Sequence, residues 1–309
     1  MNGVPSDFIQ TILSDLPSIL PVTQLESSSL WSRHAVAHSQ KSKNYQLCLK
    51  FLRTSLQCSF VRYPASSDPR TMPWKEFAAT DKFSRINSII VNTDLYADMT
   101  EEMRWEELKY DQVERLLNFA ISRFAVGGHS KLVISQDQRN LSAYEALTKQ
   151  IYGFLTQKLF FNEMILSYQG SESEEFLKSQ VEYGLSLKKL TLYGAWPQST
   201  QETLNKLVKL PKFFCLEADD RKVQCEAKFS IIEDAIKEWM ANDSVKEKFL
   251  DVFIDNLGED FSTFCHREFY RNVYIKLLAK HPKIPNYYVT VKLHESSDNR
   301  WMATLYYNS

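Results

Sequence analysis

Four short apolar segments set the frame for this chain: KLVIS from Lys131, EMILS from Glu163, KLTLY from Lys189 and FFCLE from Phe213. Between them lie AYEALTKQIYGFL, EEFLKSQVEYGL and TQETLNKLVKL, whose apolar residues recur at the three- and four-residue steps of an amphipathic helix. One strand and one helix of this size cannot bury their own apolar sides, so such units must stack on one another. The pattern predicts an irregular, solenoid-like βα repeat array, because the intervals are uneven and the asparagine ladder of a regular leucine-rich repeat is missing. FSIIEDAIKEWM from Phe229 continues it as a helix and KFLDVFI from Lys248 as a strand. HREFYRNVYIKLLAK from His266 reads as a further helix. At the C-terminus YYVTVKL and RWMATLYY flank HESSDN with period-two alternation, which predicts an antiparallel hairpin capping one open end of the array.

The N-terminal part is organised differently. In VPSDFIQTILSDLP the residues Val4, Phe8, Ile12 and Leu16 form the stripe of a short amphipathic helix, opened by Pro5 and ended by Pro17. LWSRHAVAHSQK reads as a second helix. YQLCLKFL and QCSFVRY alternate as two strands of a hairpin or small sheet, PASSDPRTMP is a loop, and SIIVNTDLY is a strand. YDQVERLLNFAISRF follows as a helix with Val113, Leu116, Leu117, Ala120, Ile121 and Phe124 on one face, closed by Gly127 and Gly128 as a C-cap. The expected fold class is therefore α/β (α+β). A helical segment occupies residues 1–42, and a βα repeat domain occupies 43–309. Within the latter, the first strands span 45–63, the array about 85–255 and the C-terminal hairpin 287–307.

Composition narrows the function classes. A chain of 309 residues has room for one large or two smaller domains, and its net charge of -1 argues against a general nucleic-acid binder or a polybasic membrane module. Five scattered cysteines without a CxxC pair suggest neither a disulfide framework nor a zinc site, which fits a reducing cytoplasm or nucleus. No signal-peptide apolar region follows Met1 and no run is long enough to span a bilayer, so a chain neither secreted nor membrane-spanning is expected.

The search for chemistry is mostly negative. His34 and His38 share a helix face, but nothing marks an intervening acid or a third ligand, so no metal is expected. Gly127 and Gly128 precede a strand, the reverse of a phosphate-binding loop. The paired acids Glu174-Glu175, Asp219-Asp220 and Glu259-Asp260 fall at helix starts or turns and read as solvated carboxylates. Cys48, Cys58 and Cys215 lie in strand patterns and read as core residues. No catalytic residue and no cofactor is expected. Trp196, in YGAWP just after a strand, is the candidate exposed aromatic anchor for a target protein.

The opening segment resembles the start of an F-box. Pro5, Ile9, Ile12, Leu13, Leu16, Leu20, Leu25 and Trp31 fall close to the places of the usual pattern, while Pro21 and the ESSS run replace its middle helix. The Met-x-x-Val-Pro-x-x-Phe start, Trp31 with a following AVAH, the short strands and helices, and a terminal YVTVK hairpin are together similar to a nematode-expanded group of F-box-like proteins of about this length. The resemblance implies a non-catalytic substrate receptor of a cullin-RING ubiquitin ligase. Pro5, Phe8, Ile9, Ile12, Leu13, Leu16 and Trp31 would contact a Skp-type adaptor, and the repeats would hold an unknown target protein. Two alternatives stay open: a degenerate F-box-like module with no ligase link, and an enzyme whose site is assembled from scattered residues.

Overall fold

The computed structural model describes residues 9, 12, 30–41, 43–51, 56–63, 71–80, 84–92, 103–125, 129–135, 142–184, 186–218, 230–241, 248–254, 266–270, 274–284, 287–295 and 301–308. It is a mixed α/β protein whose chain divides into two compact units: Met1–Phe154 with Lys158–Asn162, and Leu155–Gln157 with Glu163–Ser309. The division falls well past the 42/43 boundary read from the sequence.

In the first unit, helix α1 (Leu30–Lys41) leads into strand β1 (Lys43–Phe51), which pairs antiparallel with β2 (Leu56–Tyr63) as the alternation predicts. Strands β3 (Thr71–Met72) and β5 (Glu106–Leu108) share the other edge of β2. On the far side of β1 lie β4 (Ser84–Asn92) and then β6 (Lys131–Ile134), both parallel to it. Tyr45, Leu47, Leu49 and Phe51 of β1 are buried together with Cys48, so this strand needs cover on both faces. Part of that cover is the short helix α2 (Trp74–Ala78). Its Phe77 stacks on Phe60 at 4.1 Å and meets Tyr45 edge-on at 5.0 Å. Burying each such side chain stabilises by roughly 1.5–3 kcal/mol.

Helix α3 (Val113–Ser122) buries Val113, Leu116, Leu117 and Ala120, the stripe that its sequence shows. It stops before Gly127 and Gly128, which lie outside the described residues. Its closing device is different from the expected glycine cap: the chain turns at Arg123, and Phe124 bridges Ile86 of β4, with Ala125 N donating to Ile86 O at 2.7 Å. The neighbouring Asn87 is bulged out of the β1–β4 register. Helix α4 (Ser142–Leu155) packs Tyr144 edge-on against Phe51 at 4.9 Å.

The second unit carries the parallel strands β7 (Glu163–Ser167), β8 (Lys189–Tyr193), β9 (Cys215–Ala218) and β10 (Phe249–Ile254), in that order in the sheet. Helices α5 (Ser171–Tyr183), α6 (Thr200–Val208) and α7 (Ser230–Ala241) connect them in turn. Every crossover therefore steps to the next strand in the same direction. Because such crossovers share one hand in about 98% of cases, all three helices fall on one face. Contacts of α5 with α6 and of α6 with α7 agree with this. The helix-covered face holds Met164, Leu166, Leu190, Leu192, Leu216, Leu250 and Val252, each 1% exposed or less. Lys248, itself buried, donates its Nζ to the carbonyl of Val208 and so satisfies the C-terminal end of α6.

Beyond β10 the sheet turns antiparallel. β14 (Trp301–Asn308) pairs with β10, then β13 (Tyr288–Glu295), β12 (Tyr274–Lys280) and β11 (His266–Tyr270) follow. Two expectations are corrected here. HREFYRNVYIKLLAK is not a helix: it supplies β11 and β12, and Leu277 and Ala279 are buried while Leu278 and Lys280 are more exposed, the period of a strand. Its aromatic and β-branched residues suit strands once β13 offers an edge to pair with. Nor does the C-terminal hairpin sit across an open end, since β14 is inserted between β10 and β13 and lengthens the sheet.

Candidate functional site

The helices of the second unit cover one face of its sheet, and the opposite face carries a row of polar strand residues, of which Thr191 is buried and Glu217, Asp251 and Thr304 are half-buried. Directly paired residues point to the same side, so the register reads out this face strand by strand. Thr191 stands opposite Glu217, Glu217 opposite Asp251, Asp251 opposite Thr304, and Thr304 opposite Lys292. A second row runs beside it: Glu163, Lys189, Cys215 and Phe249. Where the helix-covered face is sealed, here the Lys189 and Glu217 side chains keep 36% and 30% of their exposure.

These residues are wired to one another. Lys189 Nζ donates to Glu217 Oε1 at 2.8 Å, and Thr191 Oγ1 donates to Glu217 Oε2 at 3.0 Å. Cys215 Sγ lies 3.6 Å from Glu217 Oε1. Partial burial pushes the Glu217 carboxyl up, but the hydrogen bonds from Lys189 and Thr191 outweigh it and hold the group below its ordinary value, hence ionised. Donating that bond to Glu217 raises Lys189. Cys215 is pushed up to about 11, chiefly by burial, so its thiol stays protonated near neutral pH and is a poor nucleophile. Across the sheet Thr304 Oγ1 donates to Asp251 Oδ1 at 2.8 Å, and Lys292 Nζ sits 5.0 Å from the ring centroid of Tyr306. Among the described residues the face thus offers fixed charges, hydroxyls and the aromatic ring of Tyr306, together with a protonated Cys215 thiol.

Each residue singled out from the sequence now has a place. Trp196 is 1% exposed, which corrects its expected role as an exposed anchor. Its ring lies 5.4 Å from that of Tyr168, its Nε1 donates to Tyr193 O at 2.9 Å, and it plugs the end of β8. The turn it occupies needs Gly194, whose φ of +84° is unfavourable for any residue with a side chain. Of the adaptor set, Pro5, Phe8, Leu13 and Leu16 lie outside the described residues. Ile9 and Ile12 are helical; Ile9 is fully buried against Ala35, with Leu30 and Trp31 packed on them, whereas Ile12 and Trp31 are half-buried. The indole N–H of Trp31 has no hydrogen-bond partner among the described residues.

Glu174, at the start of α5, accepts hydrogen bonds from Tyr168 at 3.2 Å and Ser199 at 2.6 Å. Asp219, Asp220, Glu259 and Asp260 lie outside the described residues. Cys48 and Cys58 are buried in the first unit, and burial pushes both thiols up to about 12. Among the described residues no group of three metal-ligating side chains comes together, and no helix is long and apolar enough to cross a membrane.

The polar row itself escaped the sequence reading. Its signal was present as the lone Asp251 inside FLDVFI and the Thr304 inside ATLY, where an alternating strand places a polar residue on the side away from its apolar neighbours. Comparison with known proteins adds no relative: no family model, no curated protein and no solved structure matches this chain.

Proposed function

We propose that this chain is a non-catalytic protein-interaction protein, an F-box-like substrate receptor that links a target protein to a cullin-RING ubiquitin ligase. The observation that supports it best is the one-sided sheet of the second unit. Parallel strands with all helices on one face leave the other face lined by Lys189, Thr191, Glu217, Asp251 and Thr304, and strand faces of this kind serve repeat proteins as recognition surfaces. In this reading the irregular βα repeats hold the target there, and the N-terminal helical segment holds a Skp-type adaptor.

The burial of Ile9 changes how that segment works. Its side chain joins the first helical segment to α1, so adaptor contact falls to the half-buried Ile12 and Trp31 together with Pro5, Phe8, Leu13 and Leu16. The same burial of Ile9 favours a second reading, in which the segment only closes the first unit and the protein binds partners without a ligase. A pulldown on immobilised Skp-type adaptor separates them. Retention that is lost in Ile12→Asp and Leu16→Asp, with far-UV circular dichroism unchanged, supports the receptor; no retention of the wild type supports the second reading.

A further inference from the structure

The connection from β12 to β13 closes on a histidine. Its first residues read HPKI, the chain bends at residues 282–284, and His281 N donates to Tyr287 O at 2.9 Å. The His281 ring folds back over the bend, where Nδ1 accepts from Lys283 N at 3.2 Å and from Ile284 N at 2.9 Å. A ring nitrogen that accepts carries no hydrogen, so the neutral imidazole has its hydrogen on Nε2 and donates it to Trp239 O at 3.2 Å. Trp239 belongs to α7. Its indole meets the imidazole edge-on at 4.7 Å, with the rings of Tyr287 and Tyr307 at 6.2 and 5.7 Å from it. One neutral tautomer thus holds the bend and the helix together.

A second proton has no place in this arrangement. On Nδ1 it points at two amide N–H groups that are themselves donors, and it charges a side chain that is 2% exposed. The ionisable groups on the elements around the ring are few. Lys280 and Lys283 flank it on β12 and the bend, and both are exposed. Lys237 and Glu238 precede Trp239 on α7, the first exposed and the second half-buried, and Tyr287 and Tyr307 contribute phenols. The indole N–H of Trp239 has no hydrogen-bond partner among the described residues, a cost that opening the cluster removes.

We propose that His281 is a proton-operated latch. Gain of a proton at Nδ1 frees the bend from the ring and the ring from α7, while β12 and β13 stay paired. The latch stands apart from the receptor reading and needs neither adaptor nor target. Proton count fixes its direction. The open bend exposes an imidazole that takes up its proton near the ordinary value of about 6.5, whereas the closed one has its Nδ1 occupied, so falling pH favours opening. One linked proton raises the opening constant by about thirtyfold between pH 7.5 and 5.0.

Hydrogen exchange of the full chain, resolved by residue and divided by the intrinsic rate at each pH, reads the opening. Protection at Lys283 and Ile284 is expected to fall about thirtyfold from pH 7.5 to 5.0, while Leu250 and Val252 in β10 keep theirs. In His281→Asn, whose amide oxygen accepts from the same two N–H groups and gains no proton, protection at both residues is expected to be equal at the two pH values. In Glu238→Gln the fall is expected to remain. Protection that does not fall in the wild type, a fall shared equally by Leu250 and Val252, or a fall that persists in folded His281→Asn or vanishes in Glu238→Gln overturns the proposal. If His281→Asn does not fold, the nitrogen-15 shifts of the wild-type imidazole decide. A neutral ring with its hydrogen on Nε2 wherever Lys283 and Ile284 are protected supports the latch, and an imidazolium with both still protected overturns it.

Discussion

Trp196 shows how far a residue's neighbourhood decides its role. In the sequence it follows a strand and precedes a proline, the setting of a loop-borne anchor. In the structure Tyr168, from the preceding βα unit, closes over it, and Tyr193 O takes its indole N–H. Nothing local to YGAWP records that partner. Trp196→Ala is therefore expected to cost about 3–5 kcal/mol of stability, read from urea unfolding, through the cavity it leaves. Trp196→Phe, which keeps most of the packing but loses the hydrogen bond, should cost less.

Glu217 makes a second prediction at the same scale. Its folded-state pKa is depressed, so its contribution is present above the unfolded value and lost as pH falls through the folded one. Glu217→Gln should lower stability at neutral pH by no more than about 1 kcal/mol, because the pair with Lys189 is partly exposed. The gap between wild type and variant should close as the medium is acidified below the ordinary carboxylate range. Urea midpoints at a series of pH values measure this, and a gap that persists in acid refutes the electrostatic cause.

At the scale of elements, legibility followed the range of the interactions. Helices α3 to α7 and strands β7 to β9 announce themselves through local periodicity, and each stands close to where the sequence places it. HREFYRNVYIKLLAK reads as a helix in isolation because its aromatic and basic residues suit either state until a neighbouring edge is available. Pairing with β13 supplies that edge, and no window of sequence contains it. The polar row is a similar case: each member is visible as an alternation, but its assembly depends on the register of five strands.

The connection after β12 offers a test of how an element is held. His281 is 2% exposed; its Nδ1 accepts from Lys283 N at 3.2 Å and Ile284 N at 2.9 Å, while Nε2 lies 3.2 Å from Trp239 O on α7. Its ring meets Trp239 edge-on at 4.7 Å. One side chain thus orders the turn and ties it to a helix. His281→Ala is expected to cost about 2 kcal/mol, since two backbone donors lose their acceptor and an aromatic contact goes with them. Hydrogen exchange should quicken at Lys283 and Ile284 first. Unchanged protection there contradicts the anchoring role.

For the whole molecule, the mixed α/β class and the succession of βα units were legible because the apolar segments at Lys131, Glu163, Lys189 and Phe213 recur with helices between them. The division into two compact units was not, since it depends on which strands find partners far along the chain. The one-sidedness of the second unit follows from its topology. Successive crossovers in one direction seat α5, α6 and α7 together and leave a polar face opposite. The receptor function proposed above assigns the target to that face and, separately, the adaptor to an N-terminal segment in which Ile9 is buried and Ile12 is half-buried.

The two ends of that account are separable, so a calorimetric titration of the full chain with a Skp-type adaptor tests it most directly. The account predicts saturable binding that Ile12→Asp abolishes and Glu217→Lys, far along the sequence on the polar sheet face, leaves unchanged. Absence of binding by a folded wild type, or equal binding by Ile12→Asp, contradicts it.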